Sequence, residues 1–148
     1  MNMQSTMRPA TFAEPSQIIL DLVLRQVHST ATEGQEHAFL AAVGRVLAAR
    51  FPLGDADTLP LLEEKVNDVW HMLDFGTATV TLSDDAVIIR HELPGSDGRH
   101  VGGGWRSAVP ALVEGAYDAW LRAMGSGPRL KTTCIARTSD YVELRHGA

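Results

Sequence analysis

The chain has 148 residues, the length of one domain, with a hydrophobic fraction of 45%, a charged fraction of 21% and a net charge of −5. An acidic balance, with no run among its 13 Lys and Arg residues, argues against a nucleic-acid partner, which requires a clustered basic face. The single cysteine, Cys134, rules out an internal disulfide and a thiolate zinc site, and no apolar run approaches the roughly 18 residues of a membrane span.

The first 14 residues are polar, carry Pro9 and show no periodicity, so they are expected to form a flexible N-terminal arm ahead of a single domain over 15–148. The N-terminus has neither a basic stretch nor an apolar stretch of the secretory kind, so the expected compartment is the cytoplasm. Pro15-Ser16 opens a first helix, with Ser16 as its predicted N-cap. Ile18, Ile19, Leu22, Val23, Gln26 and Val27 fall on one mostly apolar stripe. Thr32-Glu33-Gly34-Gln35 has capping-box spacing and opens a second helix. Phe39, Ala42, Val43, Val46 and Leu47 share one of its faces, and Pro52 ends it.

Thr58 is expected to cap a third helix, with Pro60 in its first turn, a stripe of Leu59, Leu62, Val66, Val69, Trp70 and Leu73, and a stop at Gly76. The period then changes to two. Thr77, Thr79 and Thr81 alternate with Ala78, Val80 and Leu82, predicting a half-buried strand with a threonine outer face. Ser83-Asp84-Asp85 turns the chain into a second strand, from Val87 to Leu93. A glycine-rich loop at 94–104 leads to a fourth helix, from about Ser107 to Met124, and a last hairpin pairs Leu130–Arg137 with Tyr141–Arg145. The predicted class is α+β, in the order ααα-ββ-α-ββ, with an antiparallel sheet.

Candidate chemistry is sparse. His91 and Glu92 are neighbours on a strand, so they point to opposite faces and cannot share one metal or one proton. Gly95, Gly98, Gly102, Gly103 and Gly104 have neither the lysine of a P-loop nor the parallel βαβ setting of a dinucleotide fold. Cys134 has no nucleophile signature and reads as a buried strand thiol, and His28, His37, His71 and His146 read as solvated. No catalytic constellation, cofactor site or metal site is predicted. Gly115, in mid-helix, is expected to mark a close approach of another backbone or bulky side chain, because glycine there costs about 1 kcal/mol relative to alanine.

The apolar supply is large for four short strands. Trp70, Trp105, Tyr117 and Trp120 either fill the core or face another protomer, and the second alternative makes them candidate interface residues.

Phe39-Leu40 through Arg50, the Leu73-to-Leu82 junction, Arg90-His91-Glu92-Leu93-Pro94, Trp105, and Leu112-Val113-Glu114-Gly115-Ala116-Tyr117 with Trp120 together resemble the bacterial cellulose synthase operon protein D family, the D subunit of cellulose synthase. The resemblance runs from about Phe12 to Arg145. It implies an accessory protein without catalytic activity, assembled as a ring-like homo-octamer built from dimers, that assists glucan export, crystallisation or synthase organisation. The implied partners are other cellulose synthase components, a proline-rich accessory protein and glucan chains. The implied location is the cytoplasm near the inner membrane, with the periplasm as alternative. Met7, Arg8 and Phe12 in the arm are the candidate contacts to glucan or partner. Two other classes fit the residues: a dimeric cytosolic chaperone or adaptor of a secretion system, and a small-molecule-binding α+β domain covered by the 94–104 loop.

Overall fold

The computed structural model describes residues 15–93 and 103–148, the side chains of 103–106 excepted. Three helices come first: α1 (Pro15–Thr30), α2 (Glu33–Arg50) and α3 (Leu59–Met72). The hairpin β1 (Thr77–Ser83) and β2 (Ala86–Glu92) follows, then the long helix α4 (Gly103–Ala123) and the hairpin β3 (Lys131–Arg137) and β4 (Tyr141–Gly147). The two hairpins join through β2 and β4 into one antiparallel sheet of order β1-β2-β4-β3. This is the predicted α+β architecture.

Local chemistry sets most of the boundaries. The Thr32 hydroxyl accepts from the Gln35 N–H, and the Gln35 side chain accepts from the Thr32 N–H, closing the capping box. Thr58 caps α3 through the Leu61 N–H, with Pro60 in the first turn. The structure corrects three expectations. Helix α1 already includes Pro15, so Ser16 lies within its first turn rather than capping it. Helix α3 stops at Met72, where Asp74 takes a left-handed φ of 52° and Phe75 N–H closes on Trp70 C=O, so Gly76 belongs to the turn into β1. Helix α4 begins at Gly103 and continues through Pro110, earlier than expected. The rest of the glycine loop, 94–102, lies outside the described residues.

The core lies between the sheet and helices α3 and α4. Trp70, Val66, Ile89, Val113, Tyr117, Val142 and Leu144 are almost wholly buried there. Each sheet edge is capped at two positions by side chains one helical turn apart. On β1, the Asn67 amide takes both the N–H and the C=O of Ala78, and the Glu63 carboxylate takes the Val80 N–H. On β3, Asp118 accepts from the Thr132 N–H and Glu114 accepts from the Cys134 N–H. With these donors engaged, a further strand is obstructed at Ala78 and Val80 on β1 and at Thr132 and Cys134 on β3.

Candidate functional site

His91 and Glu92 separate as the strand pleat requires: Glu92 is exposed and His91 is fully buried. The imidazole sits at the junction of four elements. The Trp70 indole N–H donates to the Tyr117 oxygen at 2.8 Å, and the Tyr117 hydroxyl lies 2.7 Å from His91 Nδ1. His91 Nε2 lies 2.9 Å from the Phe75 carbonyl, which can only accept, so Nε2 carries the proton and Nδ1 accepts from Tyr117. Every polar side-chain atom of this relay is matched. Burial lowers the His91 pKa to about 4, against the raising effect of the Phe75 carbonyl, and burial pushes the Tyr117 hydroxyl well above its usual range. A neutral imidazole with both nitrogens engaged inside the core holds the β1–β2 hairpin onto α3 and α4, and has no lone pair or proton to offer a substrate.

Trp70, Tyr117 and Trp120, the candidate interface residues, are 0%, 1% and 2% exposed. The Trp70 ring meets those of Tyr117 and Trp120 edge-on at 5.8 and 5.3 Å, and Trp120 donates to the Phe51 carbonyl at 3.0 Å. These three therefore form the core of the single chain rather than a surface for another protomer. The Trp105 side chain, and Met7, Arg8 and Phe12, lie outside the described residues.

Two further expectations change. His146 is buried on β4, its Nδ1 2.8 Å from the Thr132 hydroxyl, because β4 runs on to Gly147 and carries the residue inward. Burial lowers its pKa, with nearby Asp118 opposing. Cys134 is half-buried rather than buried, since β3 is an edge strand with a bulge between Cys134 and Ala136. Burial raises its thiol pKa, and the neighbouring Glu114 adds to this.

Cys134 and Glu114 line a cleft of about 610 Å³ between the α1–α2 turn, α4 and β3. His28 pairs with Glu36 at 2.7 Å and His37 with Glu114 at 3.5 Å along it. The Glu114 pKa is raised by burial, partly offset by His37 and the Cys134 N–H. Among the described residues no group of three or more His, Cys, Asp or Glu is placed to hold a metal ion.

The decisive geometry is on α2. Where it crosses α4 at Gly115 its buried residues are small, Ala41, Gly44 and Ala48, while Leu40 is buried beside them against Leu24, Ala108 and Ala111. A Cβ added at Gly115 would lie 2.0 Å from the Ala41 carbonyl oxygen, and one at Gly44 would lie 2.0 Å from the Leu112 carbonyl oxygen. The predicted close contact at Gly115 is therefore there, and Gly44 is its reciprocal half, which the sequence reading missed. The signal was available: Ala41, Gly44 and Ala48 repeat at helical spacing opposite the larger apolar residues. Three large apolar residues lie on the other side of α2. Phe39, Val43 and Val46 are 51%, 38% and 69% exposed.

Helix α1 behaves alike. Leu24 is its one buried residue, set against Leu40, Ala108 and Ala111, while Ile18, Ile19, Leu22 and Val23 face solvent.

The family model for the D subunit of cellulose synthase matches residues 11–147. The chain belongs to that family. Comparison with curated proteins gave no match. The family's name ties the chain to bacterial cellulose biosynthesis and to the synthase complex, and no helix among the described residues is long and apolar enough to cross a membrane. The motifs that carry the resemblance now have physical roles. Leu112-Val113-Glu114-Gly115-Ala116-Tyr117 supplies the α2 crossing, a β3 edge cap and the Tyr117 link, and Arg90-His91-Glu92 supplies the buried end of that link.

Proposed function

We propose that this protein is a non-catalytic accessory component of bacterial cellulose biosynthesis. It acts as a ring-like homo-octamer built from dimers, which organises synthase complexes and assists glucan export or crystallisation. The observation that carries the non-catalytic part is the state of His91. The most enzyme-like group in the sequence spends both ring nitrogens on Tyr117 and Phe75 inside the core. Membership of the cellulose synthase family of D subunits supports the pathway, and the outward apolar sides of α1 and α2 support assembly.

On this reading the protein works in the cytoplasm beside the inner membrane, with other synthase components and a proline-rich accessory protein as partners. Polymerisation of glucose belongs to another polypeptide. Met7, Arg8 and Phe12 are the positions at which the reading places contact with glucan or partner.

Deleting the gene from a cellulose-producing strain tests it. The expected result is less cellulose, or cellulose of lower crystallinity, while membranes from the strain still polymerise glucose. Cellulose of parental yield and crystallinity overturns the reading.

A further inference from the structure

The cleft of about 610 Å³ between the α1–α2 turn, α4 and β3 has no role in the function proposed above. We propose that it binds an organic cation, an ammonium or guanidinium group on an alkyl stem, with Glu36 and Glu114 taking the charged head and Leu40, Pro110 and Ile135 taking the stem. The site stands on the geometry of the cleft and does not rest on the cellulose reading.

Three walls make the cleft, and local sequence sets each of them. On α2, Glu33, Glu36, His37 and Leu40 recur at helical spacing and share one side of the helix. On α4, Ser107, Pro110, Ala111 and Glu114 do the same. On β3, the bulge between Cys134 and Ala136 adds Ile135 to the strand, and its side chain stays exposed at the cleft. The volume falls within the roughly 300–1,000 Å³ usual for small-ligand sites.

The lining is short of positive charge. With its histidines neutral, it carries three carboxylates, Glu33, Glu36 and Glu114, against one guanidinium, Arg137. Two of the three are drawn in from water, since the Glu36 and Glu114 side chains are 14% and 16% exposed. The imidazoles beside them, His28 at 2.7 Å and His37 at 3.5 Å, are themselves more than half exposed. A carboxylate accepts about four hydrogen bonds, and one imidazole N–H leaves most of that capacity open. Burial raises the Glu114 pKa in spite of His37 and the Cys134 N–H, as expected of a carboxylate with too little compensation.

The same lining selects among ligands. An anion would be repelled by the carboxylates. A wholly apolar ligand would strip water from them and return no hydrogen bond. An alkyl cation suits both halves, because its stem covers apolar surface while its head supplies several N–H donors to carboxylate oxygens. Two sources offer that chemistry: a free polyamine, and a lysine or arginine side chain of another polypeptide.

Isothermal titration calorimetry on the full chain at neutral pH and low salt tests the site. The probes are spermidine and the peptide acetyl-Ala-Arg-Ala-amide, with acetyl-Ala-Gln-Ala-amide as the uncharged control. One site per chain is expected for at least one cation, and the tighter of the two identifies the source. Glu36→Gln and Glu114→Gln keep the shape and remove the charge, and each is expected to weaken binding about tenfold or more. Glu64→Gln, at an exposed position of α3 outside the cleft, is expected to leave the affinity at the parent's value. Because Glu114 also holds the Cys134 N–H, Glu36→Gln in the first turn of α2 is the deciding variant. Absence of saturable binding by either cation below about 10 mM overturns the site. So does a control peptide that binds as tightly as its arginine counterpart, or an affinity unchanged by Glu36→Gln. A loss with Glu64→Gln equal to that with Glu36→Gln overturns it as well, because general attraction to a chain of net charge −5 would then account for the binding.

Discussion

The two sides of α2 differ in kind. Toward α4 it offers Ala41, Gly44 and Ala48, so that backbone nearly touches backbone; toward solvent it offers Phe39, Val43 and Val46. The region beyond α4 reverses the choice, burying Trp70, Tyr117 and Trp120 against the sheet and satisfying their polar atoms internally. One region is closed and the other open. At the crossing, burial therefore follows the distance between backbones, whereas beside it Leu40 is buried against Leu24, Ala108 and Ala111. Where helices cross at glycine there is no room for a large residue, and the large residues are displaced outward.

Damage to the closed region should then be a loss of fold stability whatever the protein concentration, whereas damage to the open region should be a loss of assembly. Gly115→Leu should show the largest effect. Its side chain would enter space held by the Ala41 backbone, and a loss on the order of 4 kcal/mol in urea denaturation is expected, at the severe end for overpacking. A change below about 1 kcal/mol would mean that the α2–α4 crossing can open at little cost.

Acid should act next. Folded His91 takes its proton only near pH 4, whereas an unfolded histidine takes it near 6.5. Between those values the unfolded chain binds the extra proton, so stability falls as pH drops. The contribution from His91 is complete above about pH 6.5, is lost progressively down to about pH 4 and is flat below, a total of about 3 kcal/mol. Denaturation midpoints across this range should show the decline. A midpoint independent of pH between 7 and 4 would contradict the buried neutral imidazole.

Asn67→Ala should show the smallest effect. It frees the N–H and C=O of Ala78 on the β1 edge and is expected to lower stability by about 1 kcal/mol. It should also raise concentration-dependent aggregation by reopening that edge, as turbidity on storage would reveal.

Much of the local structure could be read directly. The Thr32 and Thr58 caps, the threonine face of β1 and the opposed directions of His91 and Glu92 depend on neighbours within four residues. The sequence left Trp70, Tyr117 and Trp120 open between core and interface for a physical reason. Large aromatics suit a core and an interface equally, and only the packing of α3, α4 and the sheet around Trp70 separates the two. His146 was misplaced because its burial depends on where β4 ends and on Thr132, 14 residues away.

By itself, the sequence determined the elements, their order, the α+β class and the family, because caps, turns and periodicity are short-range properties and the family motifs are strings of residues. Only the tertiary structure decided which side of α1 and α2 faces inward, where the Trp70–Tyr117–His91–Phe75 chain closes, and that helix side chains cap two positions on each sheet edge. These depend on contacts between residues far apart in sequence. An apolar stripe records that a surface avoids water, but only the backbone approach at Gly44 and Gly115 shows that the chain's own core does not cover it.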